Sequence, residues 1–136
     1  MHENTGNLGM NLDYFETLVK KVGVNVLCVS YRGYSKSEGV PTEKGLQLDA
    51  LAIAKFVKAC DKIDKQRVFL VGRSLGGAVA LSLLAEEGDL FRAAVLENTW
   101  TSISGMVDNF YPIMAMFPIL KVFMIRMKWD NLSNIS

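Results

Sequence analysis

An α/β domain built on a parallel sheet follows from three features of this 136-residue chain. Segments of helical and strand character alternate along it. One strand-like segment, Val68 to Val71, is a continuous apolar run, the pattern of a strand buried on both faces, and a glycine-rich turn joins it directly to a helix.

The elements can be read in order. Between Leu12 and Val22 the apolar residues Leu12, Phe15, Leu18, Val19 and Val22 fall at helical spacing, and Gly23 is a suitable helix stop. Val24 to Val29 is apolar but for Asn25 and rich in β-branched residues, which predicts a strand. Gly33, Ser35, Ser37, Gly39 and Pro41 make the next stretch a loop. Thr42 can cap a helix whose apolar positions are Leu46, Leu48, Leu51, Ile53, Ala54, Phe56 and Val57. Asp61 to Gln66 is a polar connection into a second strand, Arg67 to Val71. A helix then runs to about Glu87, where Gly88 breaks it, and Ala93 to Leu96 is a third strand. The Met- and Phe-rich stretch from Met106 to Met127 reads as short helices, either a cap whose flexible side chains suit an acyl chain or a simple cover for the core. Parallel strands joined by helices require right-handed crossovers, and ligands of such sheets bind beyond the C-terminal strand ends.

Composition narrows the function classes. Half of the residues are hydrophobic and 21% are charged, a globular balance. Fifteen basic against 14 acidic residues leave a formal charge of +1, so there is no overall field for nucleic acid and no nucleic-acid partner is expected. Cys28 and Cys60 form no C-x-x-C and are expected to be free, buried thiols; no metal or cofactor is called for. The longest apolar stretch, Phe110 to Ile125, is interrupted by Pro112, Pro118 and Lys121 and falls short of the roughly 20 residues a membrane-spanning helix needs. The opening Met1-His2-Glu3-Asn4 lacks the basic and apolar regions of a signal peptide. Asn131-Leu132-Ser133 and Asn134-Ile135-Ser136 fit the glycosylation tripeptide, which is common by chance.

The candidate site is Gly72-Arg73-Ser74-Leu75-Gly76, a G-x-S-x-G nucleophile elbow between the second strand and the helix after it. A strand that turns at once into a helix forces its central residue into strained backbone space and brings backbones close together, which is what flanking glycines permit. Ser74 is the candidate catalytic nucleophile. A serine hydroxyl needs a histidine to take its proton, an acid to orient that histidine, and donors for the oxyanion. The elbow supplies one donor, the backbone amide of Leu75. The second should come from a loop after an earlier strand, and the Gly- and Asn-rich opening from His2 to Gly9 fits. The one histidine, His2, precedes the serine, whereas in this type of hydrolase the acid and the base follow it. Glu97, at a strand end, reads as a carboxylate that fixes a loop, and Asp130 as a surface or capping residue. Arg73 is expected to pair with a carboxylate such as Asp49 or Glu38.

Four stretches carry a family resemblance: His2 to Asn7, Tyr31 to Gly39, Gly72 to Ala80, and Glu97-Asn98-Thr99. In this order they resemble the alpha/beta-hydrolase superfamily, most closely the branch of the bud-emergence proteins and alpha/beta-hydrolase domain-containing protein thirteen. Two departures stand out: His2-Glu3 where members commonly have His-Gly, and Ser35 where they have Gly. The resemblance implies a partial alpha/beta-hydrolase fold over residues 1–136, with a parallel sheet of about three strands and flanking helices. It implies Asn4 as the second oxyanion donor and a structural role for His2. It also implies an internal fragment, with the strands bearing the acid and the histidine absent. The strand the family places before the His2 loop is absent too; it normally separates Val24–Val29 from Arg67–Val71, so these two would pair directly or leave a gap. The implied activity is hydrolysis of an ester or thioester, of the protein-palmitoyl thioesterase or lipid esterase kind. The substrate would be an acyl ester or thioester, lipidated proteins included, at an endomembrane or plasma membrane reached through segments outside this chain. The competing class is a non-catalytic relative acting as scaffold or binding module.

Overall fold

The computed structural model describes residues 1–4, 8–100, 102 and 129–131, so the Met106 to Met127 stretch lies outside the described residues. Within them the elements are α1 (Leu12–Thr17), α2 (Glu43–Ala59), β1 (Phe69–Arg73), α3 (Leu75–Glu87) and β2 (Ala93–Glu97). A 3-10 turn, Leu8–Asn11, leads into α1, and the helix winds on through a wider π turn, Leu18–Val22. The helix stops there as its glycine predicts: Gly23 takes φ 78°, and its amide donates to the Leu18 carbonyl. Thr42 caps α2, its hydroxyl accepting from the Gly45 amide at 3.1 Å.

β1 and β2 pair in parallel, with Phe69 opposite Ala93 and Arg73 opposite Glu97. α3 packs on this sheet and α2 packs on α3. Leu46, Ala50, Ala54 and Val57 form the buried stripe of α2, spaced at close to one helical turn. α3 lies between two layers and is buried from Leu75 through Leu83. Its residues are therefore apolar or small all round rather than on one stripe, and every one is an alanine, glycine, serine, valine or leucine.

Two expectations change. Val24–Val29 forms no ladder, so the sheet of the described residues has two strands. Its place beside β1 is taken by Met1, whose amino group donates to the Val71 carbonyl at 2.6 Å while its carbonyl accepts from the Arg73 amide. Of the two alternatives, direct pairing does not occur. Leu27 and Val29 instead line a groove of about 670 Å³ with Val40, Ile53 and Phe56. The strands are also not buried on both faces. Leu70 and Gly72 are covered by α3, whereas Phe69 and Val95 are more than half exposed, because no comparable layer covers the other side among the described residues.

Candidate functional site

The site is built at the C-terminal end of β1. Ser74 has φ 53° and ψ −119°, outside the regions an L-residue occupies without strain. The surrounding bonds hold it there: its amide donates to the Glu97 carbonyl at 2.9 Å, and its carbonyl accepts from the Gly77 amide at 2.9 Å. Although Ser74 stands at the N-cap of α3, its hydroxyl makes no capping bond. Leu75 is the first residue of α3, where a backbone amide has no acceptor in its own helix and the helix dipole favours negative charge. That is the condition an oxyanion donor requires.

The elbow glycines each have a packing reason. A Cβ on Gly72 would meet the Gly76 carbonyl at 2.5 Å, and one on Gly76 would meet the Met1 carbonyl oxygen at 2.2 Å. One on Gly77 would meet the Thr99 hydroxyl at 1.6 Å. The second of these contacts also locates the opening of the chain. Met1 and His2 lie directly against the elbow, which brings the loop holding Asn4 to the same end of the sheet as Ser74.

His2 is engaged at both ring nitrogens by backbone groups. Its Nδ1 lies 2.8 Å from the Glu3 carbonyl, and its Nε2 lies 3.4 Å from the Tyr31 amide. An amide can only donate, so Nε2 is the acceptor and Nδ1 carries the proton. The ring stacks on Tyr31 at 4.2 Å and meets the edge of Tyr34 at 5.1 Å. Burial pushes its pKa below the ordinary histidine value, which keeps the ring neutral. Both nitrogens are spent on backbone groups, the arrangement of a loop anchor rather than a general base. Asn4 accepts a hydrogen bond from the Tyr34 hydroxyl through its side-chain oxygen.

Tyr31–Tyr34 is itself a turn, closed by the Tyr34 amide on the Tyr31 carbonyl at 3.0 Å, with Gly33 at φ 74°. The turn is clamped to α2 by Arg32. Its backbone amide and its guanidinium both donate to Asp49, at 2.9 Å and 2.8 Å. Burial alone would raise the Asp49 carboxyl, but the Arg32 hydrogen bonds together outweigh it and hold the pKa below the usual value. Gly45 makes room for this clamp, since a Cβ there would meet the Arg32 Cδ at 2.7 Å. The sequence expectation that Asp49 pairs with Arg73 is thus corrected: Arg32, a neighbour through the turn, takes it, and Arg73 is exposed beside the site. This clamp was missed because its partners lie 17 residues apart, on a loop and a helix; the signal available was a glycine inside a helix opposite the loop.

The remaining candidates have structural partners. Glu97 accepts from the Tyr14 hydroxyl at 3.2 Å and so ties α1 to the rim of the site. Asp130 is exposed and bridges Ser102 in antiparallel fashion. Asn131 is buried, its side-chain amide donating to the Trp100 carbonyl at 2.6 Å, which leaves no room for a glycan there in this fold. Cys28 and Cys60 are free and half-buried. No cluster of metal-ligating side chains occurs among the described residues, and no helix among them is long and apolar enough to cross a membrane.

Comparison with known proteins agrees with this architecture. Residues 4–120 match the family model described as alpha/beta hydrolase fold. The chain is 38% identical to protein bem46 of Schizosaccharomyces pombe over 111 residues, 82% of this chain and 37% of the relative. It is 36% identical to the alpha/beta hydrolase domain-containing protein WAV2 of Arabidopsis thaliana, over 98% of this chain and 46% of the relative. It is 38% identical to the uncharacterized membrane protein YNL320W of Saccharomyces cerevisiae, over 86% of this chain and 41% of the relative. The chain therefore spans less than half the length of these curated relatives. No solved structure matches it. With the elbow at the C-terminal end of a parallel strand and the family match running from Asn4 through the elbow and β2, the chain belongs to the alpha/beta hydrolase family, in the branch of bem46 and WAV2.

Proposed function

We propose that this chain carries the nucleophile half of a serine hydrolase acting on esters or thioesters. Ser74 attacks the acyl carbon, and the backbone amides of Leu75 and Asn4 hold the oxyanion. The observation that carries this reading is the strained backbone of Ser74 at the strand-to-helix junction, a conformation of the kind that clusters at functional sites. A serine in an ordinary turn gains nothing from it. In this reading the acid and the base come from chain outside residues 1–136, because His2 is committed to its own loop.

The proposed substrate is an acyl ester or thioester, such as a lipid ester or the palmitoyl thioester of a lipidated protein, met at a membrane. One relative is named a membrane protein, and that name supports the membrane setting. The second reading is a non-catalytic alpha/beta hydrolase relative acting as scaffold or binding module, since a shared fold does not fix activity. Labelling separates the two. A fluorophosphonate probe should modify the protein as expressed at its native length, detected with an antibody to residues 1–136, and Ser74→Ala should abolish the label. Absence of labelling in the wild type would favour the scaffold.

A further inference from the structure

The described loops contain a second tyrosine whose contacts exceed what packing needs. Tyr34 makes T-shaped ring contacts with His2 and with Tyr31, at 5.1 and 6.0 Å between centroids, and its hydroxyl reaches 30 residues back along the chain to the Asn4 side chain. Asn4 is exposed, so no core packing fixes it. Its residue is held by what its side chain bonds to. The tyrosine itself is held well: the Tyr31–Tyr34 turn is closed by its own hydrogen bond and clamped to α2 through Arg32 and Asp49. A rigid helix therefore reaches the opening loop through a short chain of contacts, Asp49 to Arg32 to the turn to Tyr34 to Asn4.

We propose that Tyr34 is a positioning residue for the oxyanion site: its hydroxyl fixes the Asn4 side chain and thereby aims the Asn4 backbone amide at the acyl oxygen. This rests on the serine hydrolase reading of the site. Preorganised donors act in the transition state more than in the ground state, so a loosened donor slows the chemical step and leaves binding alone. Deleting an oxyanion donor outright costs about 10²–10³ in rate. Loosening one by removing its tether should cost less, roughly tenfold.

Two measurements test this. In the natively expressed protein, Tyr34→Phe should lower the first-order rate of fluorophosphonate modification about tenfold while the concentration giving half-maximal rate stays the same. Asn4→Ala, which keeps the backbone amide and removes the acceptor, should have the same effect. The double variant should be no slower than either single one, because both remove one contact. In the 136-residue chain, the heteronuclear NOE of the Asn4 amide should fall in Tyr34→Phe and that of Leu75 should not. If Tyr34→Phe does not fold, Asn4→Ala decides the matter with the same two readouts. Unchanged modification rates, additive losses, or an unchanged Asn4 NOE would each overturn the proposal. A wild type that takes no label defeats the hydrolase reading instead, and the NOE still decides whether Tyr34 holds Asn4.

Discussion

Ser74 concentrates the tension between stability and chemistry in one residue. A non-glycine residue held at φ 53° and ψ −119° costs on the order of 1–3 kcal/mol. Glycine adopts that backbone freely but loses more entropy on folding, so Ser74→Gly should raise the unfolding free energy by about 1 kcal/mol in urea titration while removing the proposed nucleophile. An unchanged or lowered stability would mean that the strain is not real. Ser35 offers a milder instance. It sits at φ 53°, a backbone that glycine adopts at less cost, and Ser35→Gly should stabilise the chain by a similar or smaller amount. His2 gives a pH signature. Its folded pKa is lowered by burial, so the fold favours the neutral ring, and protonating Nε2 would remove the acceptor of the Tyr31 amide. The stability it contributes is complete above the unfolded value of about 6.5 and is lost as the pH falls through the lower folded value. Urea midpoints between pH 8 and pH 5 should thus fall more steeply in the wild type than in His2→Gln. Parallel profiles would show that His2 is not the group responsible.

At the scale of elements, the decisive packing is between α3 and the strand ends. Gly77 faces Thr99, whose hydroxyl is buried without a hydrogen-bond partner among the described residues and stands where a Cβ on residue 77 would go. Gly77→Ala should therefore destabilise the chain by about 1–3 kcal/mol, the range for overpacking a tight site. Thr99→Ala should return part of that in the double variant, because it removes the closest atom and leaves the Thr99 Cβ position 2.7 Å away. Additive losses in thermal or urea unfolding would place the strain elsewhere. This element was legible in advance, since Gly72 to Gly77 has no purpose in a solvated turn and a clear one where a helix meets strands. The boundaries were less so. β1 was expected over Arg67–Val71 and lies at Phe69–Arg73, because Lys65–Arg67 folds into a 3-10 turn capped by Asp64 and the apolar run alone does not reveal a local cap. β2 extends one residue beyond expectation to Glu97, whose carbonyl is recruited by the Ser74 amide.

Across the whole molecule, the alternating pattern was enough to give the fold class, the order of the elements and the place of Ser74, because helical and strand periods differ and the elbow needs both. It was not enough for Val24–Val29, whose composition is that of a strand but whose pairing depends on a neighbour that composition cannot supply. The opening loop was legible as a sequence resemblance, while the contacts that tie it to Tyr34 and tie Arg32 to Asp49 span long sequence separations. The same map sets a limit on the chain by itself. In the proposed role Ser74 needs a proton acceptor, and the one histidine in 136 residues has both ring nitrogens on backbone groups, at 2.8 and 3.4 Å. Losing a triad serine or histidine costs on the order of a millionfold in turnover, leaving about 10³–10⁴ over water from the oxyanion site and binding. Residues 1–136 alone should therefore hydrolyse p-nitrophenyl acetate no faster than their Ser74→Ala variant, within a factor of about two, at any pH from 6 to 9. Steady-state release of p-nitrophenol measures this directly. Turnover by the wild-type chain that Ser74→Ala abolishes would mean that a base reaches Ser74 from within these residues, and His2 would then have to leave the Tyr31 amide to supply it.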